Sequence, residues 1–206
     1  MPMIVIVDYG MGNLKSVYKA FRKVGIETLV TSKPSDIDNA SAVVLPGVGA
    51  FKDCMKNLSD LNVLQSILKS IEKGKPYLGI CLGLQILFSE SMEFGSCNGL
   101  DVFKGRVVRF TGDHLKIPHM GWNTVALEKT PPLFQGIEDN SFFYFVHSYY
   151  VVPEDLSIIA GVSHYGSDFT SMVWRDNIMA TQFHPEKSQH LGLDIFRNFG
   201  EFVKKN

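Results

Sequence analysis

A disulfide framework, a strong charge of either sign and a long apolar run are all missing from this chain. Three cysteines, Cys54, Cys81 and Cys97, are scattered through 206 residues. Their odd number and wide spacing exclude a disulfide scaffold and a zinc-type ligand set, and fit a reducing compartment. The formal net charge is −1, too small to hold nucleic acid or an anionic membrane surface. No window reaches the ~18 consecutive apolar residues of a membrane span. The N-terminal stretch Met1-Pro2-Met3-Ile4-Val5-Ile6-Val7-Asp8 has no basic region leading into a long apolar run and a cleavage site. A cytosolic protein is expected. Repeats, linkers and low-complexity segments are absent too, so residues 1–206 read as one domain. Apolar residues make up 45% and charged residues 20%, which suits a globular fold with a full core.

The first half alternates strand and helix patterns. Met3–Val7 is a continuous apolar run rich in β-branched residues, as in a strand buried on both faces. After the Asp8–Asn13 turn, Leu14, Val17, Tyr18, Phe21 and Val24 recur at helical spacing, with Asn13 placed as N-cap and Gly25 as stop. Strands are expected at Ile26–Val30, Ala42–Leu45 and Pro76–Ile80, and a second amphipathic helix over Val63–Ile71, closed by Gly74. Such alternation implies a parallel sheet covered on both faces. The second half is strand-rich: Val107–Phe110, Thr124–Leu127, Phe142–Val152, Ser157–Val162, Thr170–Trp174 and Ile178–Gln182, with turn signals at Gly166-Ser167-Asp168 and Asp176-Asn177. A final helix carries Ile195, Phe196, Phe199 and Phe202. The expected architecture is a three-layer α/β fold whose mixed central sheet gains an antiparallel extension in its second half.

Tyr77-Leu78-Gly79-Ile80-Cys81-Leu82-Gly83 reads as a strand entering a Gly-x-Cys-x-Gly turn with a helix directly behind it. This is the thiol form of the nucleophile elbow, and the flanking glycines suit its crowded backbone. A thiolate at a helix N-terminus faces about half a positive charge, and cysteines so placed are more acidic than the ordinary thiol, more so beside a histidine. The alternative is a buried, inert cysteine. A nucleophile needs a base, and the base an orienting group. In His184-Pro185-Glu186, extended backbone would put His184 and Glu186 on one face. An oxyanion would be held by the Leu82 N–H and by the glycine-rich Pro46-Gly47-Val48-Gly49 segment. Gly10-Met11-Gly12 lacks the third glycine of a dinucleotide loop, where Lys15 stands. His114 and His119 have no third ligand nearby in sequence, so neither a metal nor a cofactor is expected. His147, His164 and His190 have no carboxylate at the second position after them. Cys54 and Cys97 are expected to be structural or incidental.

Pro46-Gly47-Val48-Gly49-Ala50-Phe51, Gly79-Ile80-Cys81-Leu82-Gly83-Leu84-Gln85 and His184-Pro185-Glu186-Lys187-Ser188 resemble class I (triad) glutamine amidotransferases. Asp8-Tyr9-Gly10-Met11-Gly12-Asn13-Leu14, His119-Met120-Gly121-Trp122-Asn123 and Phe145-Val146-His147-Ser148-Tyr149 look more narrowly like the glutaminase subunits of imidazole glycerol phosphate synthase. Leu84 departs from the methionine common there, a change of similar volume. The resemblance implies that Cys81 attacks the glutamine side-chain amide and that His184, oriented by Glu186, handles the protons. It implies substrate contacts from Gln85, Ser148 and Tyr149, and an oxyanion hole completed by Gly47, Val48 and Gly49 once a peptide reorients around Val48. It also implies a (β/α)8-barrel cyclase partner that receives ammonia and meets Asn13, Trp122 and Lys187. Competing readings are a stand-alone γ-glutamyl thiol hydrolase, a paralogous glutaminase serving another synthase, and a regulatory domain that has lost catalysis. The presence of Cys81, His184 and Glu186 together disfavours the last.

Overall fold

The computed structural model describes residues 3–112 and 114–206; Met1 and Pro2, part of the N-terminal stretch read above, lie outside them. The first half runs β1 (Ile4–Val7), α1 (Leu14–Lys23), β2 (Thr28–Thr31), α2 (Pro34–Asn39), β3 (Ala42–Gly47), α3 (Phe51–Asp60), α4 (Leu64–Glu72), β4 (Tyr77–Cys81) and α5 (Leu82–Gln85). The second half adds β5 (Phe88–Ser91), β6 (Cys97–Asn98), β7 (Phe103–Arg109), β8 (His119–Leu127), β9 (Ser141–His147), β10 (Tyr149–Pro153), β11 (Ile159–Tyr165), β12 (Ser167–Arg175), β13 (Ile178–Thr181) and α6 (Gln189–Lys205).

β2, β1, β3 and β4 are parallel neighbours, and β13 returns parallel beside β4. Beyond β13 the sheet continues through β12, β10 and β7 with antiparallel pairing, then meets β5 in parallel. β8, β9 and β11 branch off this path. The parallel strands read as unbroken apolar runs because both faces are covered. Val5, Val7, Val43 and Leu45 point to a core shared with α2, α3 and α4 through Ile37, Cys54, Leu58 and Ile67. Ile4, Ile6, Ala42, Val44, Leu78 and Ile80 point the other way, against Val17 and Phe21 of α1 and Phe196 and Phe199 of α6. This is the α/β three-layer arrangement with a mixed sheet. Phe202 is only partly buried, and Val203 takes the inner position expected of it.

Several boundaries differ for physical reasons. Ile26 does not start β2: it closes α1, donating to Phe21 O at 3.0 Å while Gly25 turns at φ 78°, a Schellman ending. Asn13 sits at the N-cap, but its backbone carbonyl rather than its side chain receives the first helical bonds. Phe142–Val152 is two strands, because the chain leaves β8 at Ser148 and joins β7 as β10. The helix behind the elbow is a single turn. After Gln85 the chain is drawn into β5, where Ile86 O and Leu87 O accept Leu100 N and Phe103 N. So short a helix has little dipole to offer the thiol, and other groups must do what the sequence reading assigned to it.

Candidate active site

Cys81 ends β4 with φ 55° and ψ −101°. A non-glycine residue at positive φ is strained, and only a well-determined surround maintains it. That surround is visible. A Cβ on Gly83 would lie 1.9 Å from Leu45 O, and one on Gly79 would lie 2.4 Å from Gly83 O. The Tyr77 hydroxyl donates to Gly83 O at 2.8 Å, pinning the turn from below. Cys81 is only 7% exposed, and it lies on the wall of a cleft of about 440 Å³. Cys54, by contrast, is sealed in the core, and burial pushes its thiol up to about 12 despite the opposing hydrogen bond with Tyr9. Of the three cysteines, Cys81 is the one that lines the cleft.

The candidate base lies just past the neighbouring strand. Thr181 is in register with Ile80, so the chain continuing past β13 runs beside the elbow. His184 Nδ1 and Glu186 Oε1 are 2.8 Å apart, with side chains 1% and 2% exposed. The expected pairing is present, but by a different backbone: Pro185–Lys187 is a 3₁₀ turn, not extended chain. Ser188 locks that turn, its hydroxyl donating to His184 O at 2.7 Å and accepting from Tyr144 N at 3.0 Å. Burial opposes a charged ring at His184, yet the Cys81 sulfur and then Glu186 outweigh it and raise the histidine to about 10. The arrangement favours a charged imidazole beside the sulfur. Nε2 of His184 is buried and has no hydrogen-bond partner. The rival His164 does find a carboxylate, Asp168, at 2.7 Å, but both are largely exposed on a hairpin.

The cleft wall also carries Leu82, Val48, Gly49, Gln85, Ser148, Tyr149 and Lys187. Gly47 is not on the wall. It ends β3 in register with Cys81, where a Cβ would meet the Tyr9 hydroxyl at 2.3 Å. Val48 and Gly49, at φ 102°, form the loop beyond it. Trp122 is 46% exposed and packs edge-on against Tyr144, whose ring Lys187 Nζ approaches at 5.7 Å. Asn13 is half-buried at the start of α1. Among the described residues no three His, Cys, Asp or Glu side chains group as a metal-ligand set, and no helix is long and apolar enough to cross a membrane.

Glu93 and Gln182, one on the cleft wall and one buried against Cys81, escaped the sequence reading. Glu93 lies on the wall, its Oε2 accepting Phe51 N at 2.6 Å; it sits in a plain loop with no motif around it. Gln182 sat inside a quoted segment as an ordinary strand residue. Its Nε2 donates to Cys81 Sγ at 3.5 Å, while its Oε1 accepts from Gln85 Nε2 at 3.1 Å.

Strained elbow cysteine, buried His–Glu pair and glycine loop share one site, and the sequence pattern of the family described as glutamine amidotransferase class-I matches residues 5–201. The chain belongs to the class-I glutamine amidotransferase family. As an amidotransferase it is similar along its whole length to the imidazole glycerol phosphate synthase subunit HisH of Syntrophotalea carbinolica, 56% identical and covering 97% of this chain and all of that one. The HisH subunit of Geobacter sulfurreducens is 52% identical, with 98% and 99% covered. This places the amidotransferase in the HisH branch of its family. Among solved structures, PurLQS from Thermotoga maritima superposes with a TM-score of 0.77 at 19% identity, covering 98% of this chain and 99% of that one. The glutaminase domain of Trypanosoma brucei CTPS, with bound acivicin, gives 0.71 at 16%, covering 100% and 95%. Both establish the fold.

Proposed function

We propose that all 206 residues form one glutaminase unit, the ammonia-producing subunit of an imidazole glycerol phosphate synthase. Cys81 Sγ attacks the side-chain carbonyl carbon of glutamine, and the carbonyl electrons move onto oxygen. The Leu82 N–H and the Val48–Gly49 loop, held in place by Gly47, receive that oxyanion. His184 gives its proton to the amide nitrogen, the C–N bond breaks, and ammonia leaves a glutamyl thioester. His184 then takes a proton from water, whose oxygen displaces sulfur to give glutamate and the thiolate. Glu186 steadies the imidazolium throughout. Gln85, Ser148 and Tyr149 shape the glutamine cleft, and the Glu93 carboxylate suits the α-ammonium group of the substrate.

Ammonia passes to a separate (β/α)8-barrel cyclase, which makes imidazole glycerol phosphate and an aminoimidazole carboxamide ribonucleotide in histidine biosynthesis. Asn13, Trp122 and Lys187 face that partner. Support comes from β8 and β9, which expose Met120, Trp122 and Phe142 on one face, beside the cleft residues Pro118, Val146 and Lys187. The complex works in the cytoplasm, in keeping with three free cysteines.

The observation that carries this reading is the strained Cys81 beside the buried His184–Glu186 pair. Ammonia release from glutamine, by the wild type and Cys81→Ser with and without the cyclase, tests it. Activity that survives the substitution defeats the mechanism. Full-rate turnover by the isolated chain defeats the gating by a partner.

A further inference from the structure

Behind the cleft, two histidines of facing strands touch. His119 of β8 and His147 of β9 are in register, 4% and 5% exposed, with His119 Nδ1 2.9 Å from His147 Nε2. His147 Nδ1 is 2.9 Å from the Tyr149 carbonyl. His119 Nε2 is 3.3 Å from Asn123 Nδ2, which also donates to His164 O at 2.9 Å. Aromatic rings seal the pair: Tyr165 and Phe145 stack on His119, and Phe110 meets His147 edge-on.

Donor and acceptor counting leaves one proton arrangement. The Tyr149 carbonyl can only accept, so His147 Nδ1 carries the proton and its Nε2 offers a lone pair. His119 Nδ1–H must then donate to it, which leaves His119 Nε2 as an acceptor for Asn123. The Asn123 amide is oriented independently by the His164 carbonyl and by Thr124 N, which donates to Asn123 Oδ1. Both rings are therefore neutral, and a proton added at His147 Nε2 would set two N–H groups against each other. His147 consequently has no lone pair free to serve as a base, although it lies on the cleft wall.

The far end of this chain is the part of the wall that glutamine meets. Tyr149 O accepts a second bond from Gln85 Nε2 at 3.0 Å, and Gln85 in turn orients Gln182 and so the amide that reaches Cys81. We propose that His147 and His119 are positioning residues for glutamine hydrolysis: a neutral imidazole pair that holds the Tyr149 carbonyl in the cleft and, through Gln85 and Gln182, sets the amide facing Cys81. This rests on the glutaminase reading above. It explains why two polar rings occupy an aromatic cluster that Phe would fill more favourably, since buried polar groups cost free energy unless every bond is made.

The test is steady-state glutamine hydrolysis by the full chain with its cyclase partner, comparing His147→Phe with His147→Asn. Phenylalanine leaves the Tyr149 carbonyl short of a donor and raises KM for glutamine about tenfold, whereas asparagine, whose amide nitrogen can replace Nδ1–H, restores it to near wild type. The pair His119→Phe and His119→Asn repeats the comparison one ring further out and serves if His147→Phe does not fold. A wild-type KM in the folded phenylalanine variants, or asparagine variants no better than phenylalanine ones, overturns the proposal. Imidazole ¹⁵N spectra of the unmutated chain at neutral pH should show both rings as Nδ1–H tautomers; an Nε2–H or charged ring at either position also overturns it. If the wild-type complex releases no ammonia from glutamine, the glutaminase reading fails, while the tautomers are still read directly.

Discussion

The Gln182 side-chain amide points its nitrogen at Cys81 Sγ, 3.5 Å away across 101 positions of sequence. Its orientation is not free, because Gln85 donates both to Gln182 Oε1 and to the Tyr149 carbonyl. Three amide groups in a row thus end on the nucleophile, where a one-turn helix contributes little. Hydrogen bonds to charged groups are worth about 1.5–3 kcal/mol, so Gln182→Leu should slow alkylation of Cys81 by iodoacetamide at neutral pH roughly 10- to 100-fold. An unchanged rate would remove Gln182 from the site.

Glu186→Gln keeps the shape of the Pro185–Lys187 turn but loses the charge beside His184. Glutamine turnover should fall roughly 10³-fold or more, as for other triads that lose their carboxylate. The same pair links pH to stability. His184 is raised from 6.5 to about 10, with the Cys81 sulfur and Glu186 overcoming burial. Its contribution is full below pH 6.5 and is lost as pH rises toward 10. Urea unfolding at pH 6 and pH 9.5 should show that loss, and Glu186→Gln should shrink it.

Acid acts through His119 and His147 with the opposite sign. Burial lowers His119 to about 4, and burial lowers His147 to about 3, helped by the neighbouring His119 and His184 and partly offset by the bond to Tyr149. Their contribution is complete above pH 6.5 and disappears as pH falls through 4 and 3. A double asparagine variant at both positions should have a flatter stability profile between pH 6.5 and 3 in the same unfolding assay.

Gly83→Ala should cost about 3 kcal/mol or more. The added methyl would sit 1.9 Å from Leu45 O, a backbone atom in the middle of β3 that cannot swing aside. Differential scanning calorimetry gives the answer; a melting temperature within a degree of wild type would mean that the elbow can open.

Trp122→Ala should weaken binding to the cyclase by about 2 kcal/mol, roughly 30-fold in Kd, as for a central aromatic anchor. Isothermal titration of the two subunits measures it. Wild-type affinity would move the docking face away from β8 and β9.

Much of this site was legible because its chemistry needs rare residues in tight backbone. Cys81 between two glycines, and His184 next to a proline and a glutamate, are visible as strings. The unbroken apolar runs at Ile4–Val7 and Ala42–Leu45 likewise announce parallel strands buried on both faces. What escaped depends on where the chain turns. Nothing local in Gln182 or Glu93 marks them; register and a loop bring them to Cys81. α2 buries only Ile37, so its pattern is faint, whereas α3, which carries Cys54, falls where a helix is expected around that cysteine. The break at Ser148 is invisible in the run Phe142–Val152, because both strands it separates are equally apolar.

Cys81 ends β4 and His184 lies just past β13, two adjacent parallel strands. Everything from β5 to β12 is one excursion that extends the same sheet with mostly antiparallel strands and comes back beside its starting point. Such an excursion can be rewritten by evolution without shifting the nucleophile against its base. PurLQS and CTPS share this fold at 19% and 16% identity, and the outward-facing Trp122 lies on the excursion. The inner strands are thus a fixed chassis, and the excursion is the part whose sequence can change around it.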